Sequence, residues 1–387
     1  MTSLGKALHH LGCEISMLAM NTSKHKANVD RQPEELSYYS EIQTVEVDNQ
    51  IRAIDAFKNL FTDDSYHISR FVSEEFQEKL IELLSRKTFD IIQLETLYLA
   101  PYLPIIRQYS KAMIAMRAHN VEHEIWERIS AKSGFLPKKW YLRYLTNKLK
   151  RFEMDQLNEY DFLVAISERD LNQFKKLGYQ NGAIASPVGI EAHHFSKLPQ
   201  GRRQEKALSL FFIGSLDWMP NLDGLQWFME NVWAKTKSLP DSLTLHIAGR
   251  NTPDWMREKW TDRVRIHGEI ADAHQYIRDH DVMIVPLFSG SGMRVKILEG
   301  MALGKMVITT SLGLEGIPAE HGKHVWVADT EEEFLDAIQQ VLVDKSIVAE
   351  IGENARQFVL ENFDALEIAQ RLLESYRYIT SDSYSHT

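Results

Sequence analysis

Pro286-Leu-Phe-Ser-Gly-Ser-Gly-Met-Arg-Val-Lys-Ile-Leu-Glu-Gly-Met-Ala-Leu-Gly304 is the stretch on which the fold turns. The apolar run Val282–Val285 ends at Pro286, a loop with Gly290 and Gly292 follows, and a helix is expected to begin near Met293. Met306–Thr310 is the next apolar run. Working outward, the same rhythm recurs. Leu208–Ile213, Leu243–Ala248 and Val264–His267 precede this stretch, and Phe89–Glu95, Ala112–Arg117 and Phe162–Ser167 lie in the first half of the chain. Near-continuous apolar strands alternating with helices predict a parallel sheet covered on both faces. After the last of these runs, Ser167 with Asp170 three residues on predicts a capping box, and Gly178 lies just past the end of the same helix.

Periodicity lapses over 188–200, where Pro187, Gly189, Pro199 and Gly201 punctuate the chain. The reading is an α/β protein of two Rossmann-like domains whose parallel sheets face a cleft. Residues 1–190 form the first domain and 191–355 the second; in the remaining 356–387, the end of a long helix (about 355–378) crosses back onto the first. At the start, Met1–Leu11 reads as a helix and Glu14–Ala19 as a strand. The strand and glycine-rich turn that open a Rossmann half are not found before them. The expectation is a first domain without its opening strand, the given start being internal or trimmed.

With 387 residues, 44% apolar and 25% charged, the composition is that of a globular chain of two domains. Lys and Arg number 44 against 54 Asp and Glu, a net charge of −10, which argues against nucleic acid as the main partner. Cys13 is the only cysteine, so an intrachain disulfide and a cysteine-built zinc site are both excluded. No run reaches the roughly 18–20 apolar residues of a membrane span, and the start lacks a signal-like segment. A cytoplasmic location is expected.

The loop at 290–293 carries the chemistry. Glycines there let backbone N–H groups approach an anion, and the helix N-terminus adds a favourable dipole. A Gly-Ser-Gly loop alone also suits a plain βα turn; the charged residues that follow favour a pyrophosphate seat. Lys296 and Glu299, three apart, share a helix face. Lys296 is suited to neutralising phosphate, and Glu299 to accepting the two hydroxyls of a ribose. Arg294 starts on the opposite face and reaches the ligand only if the first turn is irregular. Gly214-Ser215, Gly249-Arg250 and Gly268-Glu269 end three further strands on the same carboxyl edge, where such sheets bind ligands. In the first half, Arg117-Ala-His-Asn-Val-Glu122 follows a strand and Glu95 ends another, which makes His119, Asn120, Glu122 and Glu95 candidates.

Gly290–Val307 with Thr310–Gly316, and Phe212–Gly224, resemble the donor-site segments of the family-4 retaining glycosyltransferases. The similarity runs from about Leu11 to Phe363 and is most specific over 210–317. It implies the GT-B fold and a cytoplasmic enzyme moving a sugar from a nucleoside diphosphate (UDP or GDP type) to a saccharide or lipid-linked hydroxyl, with retention of configuration, no cofactor and no metal. In that family a Glu-x7-Glu motif holds the donor. Its second Glu matches Glu299, and Ser291 stands where the first would be, so the backbone amides of Gly292 and Met293 are expected to substitute. Asp217, Trp218 and Asn221 stand where the family has an Arg and a Lys, which leaves Arg294 and Lys296 to carry the phosphate charge. The resemblance also sets His119 against the donor sugar and His267–Ile270 near the nucleobase, and points to surface-polysaccharide assembly. The expected catalytic set is His119, Arg294, Lys296 and Glu299. Donor contacts are expected from Gly214, Ser215, Arg250, Gly268, Glu269, Gly290, Ser291, Gly292 and Met293, and acceptor contacts from Glu95, Asn120 and Glu122. Rival readings are a nucleotide-sugar epimerase of the same fold and a non-catalytic nucleotide-sugar-binding protein.

Two further segments carry charge patterns of their own. Asp279-His-Asp281 resembles a metal-holding Asp-x-Asp, but it precedes a strand and reads as a helix-to-strand turn. Over 135–151, Lys138, Lys139, Arg143, Lys148, Lys150 and Arg151 lie among Trp140, Tyr141 and Tyr144. That pattern suits either a solvated helix or peripheral contact with an anionic membrane surface.

Overall fold

The computed structural model describes residues 2–22, 36–50, 52, 59, 62, 64–132, 134, 136–195, 208–290 and 292–384. The chain divides into two units, one of Met1–Pro187 with Leu366–Thr387 and one of Val188–Ala365.

The first unit opens with the helix Thr2–His10, and β1 (Ser16–Thr22) pairs in parallel with β2 (Glu41–Val47). A second parallel sheet has the order β3 (Ile91–Leu94), β4 (Met113–Ala118), β5 (Phe162–Ala165) and β6 (Gly182–Ala185). The apolar runs at 89–95, 112–117 and 162–167 thus become adjacent strands, with Ile114, Met116, Leu163 and Ala165 in one core. After β5 the Ser167 hydroxyl accepts from Asp170 N at 3.1 Å, but the Asp170 carboxylate turns to Arg169 Nη1 at 2.7 Å, so only half of the expected capping box forms. Gly178, at φ 105°, ends the helix in a conformation that suits glycine.

In the second unit six parallel strands follow the order β12 (Trp326–Val327), β11 (Met306–Thr309), β10 (Val282–Val285), β7 (Leu208–Ile213), β8 (Leu243–Ala248) and β9 (Val264–Gly268). Leu210, Phe212, Leu245, Ile247 and Ile284 point into one core, and Phe211, Met283, Val285 and Val307 into another. Successive side chains point to opposite faces. The runs read as continuously apolar because both faces are covered. The order reverses between β7 and β10, and the loops that leave these two strands diverge there. In open α/β sheets that is where ligands bind.

Several boundaries differ from the expected ones. The helix after the glycine loop is Val295–Ala302, beginning two residues later than expected, with Arg294 as its cap at φ −90° and ψ 87°. The single helix expected over 355–378 is two, Ser346–Asn362 and Ala365–Tyr384. The first buries Ile351, Ala355 and Val359 in the second unit, and the second belongs to the first unit, where the Tyr376 hydroxyl donates to Gln93 Oε1 at 2.6 Å. The units therefore part at 187/188 and 365/366, where the sequence suggested 190/191 and 355/356. The reason is that the ends of the second unit are tied together: Ile190 N donates to Phe363 O at 2.8 Å and Ala365 N to Ile190 O at 2.9 Å. Among the described residues no helix is long and apolar enough to cross a membrane.

Candidate active site

At the switch point of the second unit, Lys296 is the organising cation. Its ammonium donates to Asn221 Oδ1 at 2.7 Å and lies 4.4 Å over the Phe212 ring. Burial, with help from the Arg294 guanidinium, draws its pKa from the ordinary 10.5 to about 7. Asn221 itself is buried, and its Nδ2 donates to Ser215 O at 2.8 Å. One asparagine thus joins the loop after β7 to the helix after β10.

Gly290 and Gly292 have φ values of 99° and 81°, in the left-handed region that favours glycine. A side chain on Gly290 would also come within 3.3 Å of the Trp218 ring. Arg294 is buried, its guanidinium 5.6 Å over Trp218 and hydrogen-bonded to Gly292 O. Because the helix starts only at Val295, Arg294 sits in the loop and not on a helix face, which removes the conflict its position in sequence posed. Met293 packs its side chain on the core beneath the helix. Glu299 has no ion pair among the described residues, and burial raises its pKa. Ser291 lies outside the described residues.

The neighbouring loops complete the edge. Ser215 Oγ donates to the Asp217 carboxylate, which also accepts from Asn251 Nδ2 at 2.9 Å. Leu216 N donates to Arg250 O at 2.9 Å, and Gly249 N to Gly268 O at 2.8 Å. Gly214, Ser215, Arg250 and Gly268 thereby line successive loops of one sheet edge; Glu269 is exposed beside Gly268.

The first unit holds a separate constellation. Glu95 accepts from His119 Nε2 at 3.0 Å and from Arg117 Nη1 at 3.2 Å. Burial alone would raise its pKa, but the His119 hydrogen bond and the Arg117 charge hold it at about 2. Since a carboxylate only accepts, Nε2 carries the proton of this hydrogen bond. Glu122 is placed otherwise. Its carboxylate accepts from the Tyr98 hydroxyl at 3.1 Å, and burial followed by Glu153 pushes its pKa to about 7. It lines a small cavity with His119, Asn120 and Glu153. Glu153, on the helix Leu136–Gln156, caps the start of the helix Glu122–Lys132, accepting from Glu122 N, His123 N and His123 Nδ1.

The sequence reading did not assign Asn221, Trp218, Arg117 or Glu153 these positions. An Arg at the end of an otherwise apolar strand was a readable signal for Arg117. Asn221 and Glu153 act through contacts that only the fold creates. Asp279-His-Asp281 is a helix-to-strand turn, with Asp281 Oδ2 accepting from Ser209 N at 2.9 Å and Ser209 Oγ at 2.6 Å.

Residues 207–344 match the family "Glycosyl transferases group 1". A Klebsiella pneumoniae relative, "Uncharacterized 44.6 kDa protein in cps region", is 26% identical over 303 residues, covering 76% of this chain and 75% of the relative. Among solved structures, a sucrose-phosphate synthase from Thermosynechococcus elongatus superposes with a TM-score of 0.72 at 16% identity, covering 98% of this chain and 92% of that one. Anabaena HepE in complex with UDP and glucose gives 0.62 at 14%, covering 94% and 100%. A trehalose-6-phosphate synthase, studied for glycosyltransfer with retention, gives 0.63 at 15%, covering 97% and 96%. At these identities the superpositions establish the fold, and the family match concerns residues 207–344. The chain has the GT-B fold seen in these glycosyltransferases, and its residues 207–344 match the group 1 glycosyl transferase family.

Proposed function

We propose that the chain moves a sugar from a UDP- or GDP-type nucleotide donor to a hydroxyl of a saccharide or lipid-linked acceptor, with retention and without a metal. The observation that carries this reading is Lys296, held by Asn221 between the two loops that diverge at the switch point. Lys296, Arg294 and the N-terminus of Val295–Ala302 stabilise the charge that grows on the departing diphosphate, a task that elsewhere falls to a divalent ion. Glu299 takes the ribose hydroxyls, and Gly214, Ser215, Arg250, Gly268, Glu269 and the 290–293 loop hold the nucleotide. His119, fixed by Glu95, addresses the donor sugar, while Asn120 and Glu122 serve the acceptor side. The likeness to trehalose-6-phosphate synthase supports the reading of retention, with the leaving phosphate taking the acceptor proton. The relative from a cps region supports a place in surface-polysaccharide assembly, in the cytoplasm.

A thermal-shift series with UDP, GDP, ADP, CMP and TDP tests the donor site. One nucleoside diphosphate should raise the melting midpoint, with or without magnesium, and Glu299→Ala should abolish the rise. Silence from all four diphosphates would refute the donor site, and sugar conversion with donor alone would identify an epimerase.

The helix Leu136–Gln156 supports peripheral contact with an anionic membrane. Leu136 and Trp140 are 78% and 68% exposed beside the exposed Lys138, Lys139 and Arg143. Lys148 is not part of this face: it is buried, donating to Asn59 O and Thr62 O. Reversing Lys138, Lys139 and Arg143 to Glu is expected to weaken co-sedimentation with phosphatidylserine vesicles by about 100-fold, at roughly 1 kcal/mol per basic residue. Wild-type protein that stays in the supernatant would refute the contact.

A further inference from the structure

His246 on β8, His267 near the end of β9 and His280 in the turn before β10 meet on one face of the six-stranded sheet, where one nitrogen from each ring lies within 4.8 Å of the others. On this face Phe211 continues the apolar core, but toward β8 and β9 imidazoles replace the aliphatic side chains. The rings pack closely, with centroids 4.2 Å apart for His246 and His280 and 5.2 Å for His246 and His267.

We propose that these three histidines form a site for a divalent transition-metal ion of the zinc type. Zinc bonds imidazole nitrogen at about 2.0–2.1 Å, so tetrahedral ligand atoms stand roughly 3.4 Å apart. His246 Nδ1 and His267 Nε2, at 3.0 Å, are already near that spacing, and modest ring rotation brings the third nitrogen in. The outer hydrogen bonds select the ligating atoms. His280 Nδ1 donates to Tyr276 O at 2.7 Å, which presents Nε2 as the lone-pair nitrogen. His246 Nε2 lies 3.3 Å from Thr244 Oγ1, which leaves Nδ1 to the metal. One proton lies between His246 Nδ1 and His267 Nε2 before metal binds, and the ring that carries it passes it through solvent to its other nitrogen when the ion enters. His280 is buried, His246 half-buried and His267 exposed, so the ligands run from the core to an entry path at the surface. A water in the fourth position completes a tetrahedron. Arg265 on the same strand as His267 opposes the cation, so imidazole coordination and not net field must hold it. The ion would tie β8, β9 and the β10 turn together beside Gly268.

The test uses the full chain, stripped with a chelator and titrated with ZnCl2, with CoCl2 as the optical probe. One equivalent of zinc should bind and raise the melting midpoint, and cobalt should give the visible absorption of a tetrahedral site. His246→Ala and His267→Gln should each weaken zinc affinity by at least ~10–100-fold, the loss typical even of outer hydrogen-bond partners, while His10→Ala binds as the wild type does. His267 is exposed, so its variant should keep the fold, which circular dichroism checks. Absence of stoichiometric zinc binding, or binding undiminished in both variants, would reduce the cluster to a ring stack and overturn the proposal. Because the metal alone is the probe, the outcome is independent of the glycosyltransfer reading.

Discussion

Lys296→Met is expected to lower kcat/KM for sugar transfer by roughly 10²–10³-fold, the cost of removing one preorganised group that meets developing charge. Methionine keeps the length and apolar stem of the side chain, while the ammonium, and with it the cation–π contact with Phe212, is lost. A pH signature separates this from a packing defect. The lysine titrates near pH 7 without ligand and should be charged when a diphosphate is bound, so binding takes up a proton above pH 7. UDP affinity measured by calorimetry should then fall by up to ~10-fold per pH unit above 7, and the slope should vanish in Lys296→Met. The sign for stability is opposite. The folded, ligand-free unit gives up this proton near pH 7 while the unfolded chain keeps it to 10.5, so this group makes the ligand-free unit more stable as pH rises through that window. Wild-type affinity that is flat from pH 7 to 9 would show that Lys296 does not meet the diphosphate.

Gly224→Ala should be the most damaging small substitution in the second unit. A Cβ there would stand 1.7 Å from the carbonyl oxygen of Pro286, which is backbone and cannot turn aside. The helix Met219–Trp227 would have to move off β10 and carry Asn221 away from Lys296. A cost of about 3 kcal/mol or more is expected, which for a unit of this size lowers the calorimetric midpoint by about 10 °C. Gly134→Ala, with nothing within 4 Å, should change stability by no more than about 0.5 kcal/mol. Equal midpoints for the two variants would contradict the close approach.

The strands of the second unit were legible because both of their faces are buried. Leu208–Ile213 and Leu243–Ala248 form as read, residue for residue. Strands that escaped notice lack that property. β2 intersperses Glu41, Gln43 and Glu46 on a sheet of only two strands, β6 is a partly exposed edge of Gly182-Ala-Ile-Ala185, and β12 is two residues long. The glycine loop and the Lys296–Glu299 face were readable because their spacing is local. Asn221 was read only as a departure from a pattern, since its tie to Lys296 spans 75 positions. The three histidines were invisible for the same reason. Each stands singly in its own segment, and only the order β10-β7-β8-β9 brings them to one face.

The pairing of Ile190 with Asp364 has a bearing on how the chain assembles. The segment from Val188 to Ala365 interrupts the first unit, whose last helix cannot dock until its two parts are brought near each other. Closing so long a flexible loop costs about 4–5 kcal/mol of chain entropy by the logarithmic term. Once the inserted segment has folded, its ends are hydrogen-bonded side by side and that entropy has already been surrendered. The insert then acts as a short tether, and the helix Ala365–Tyr384 meets its docking surface as if it were nearly adjacent in sequence to β6.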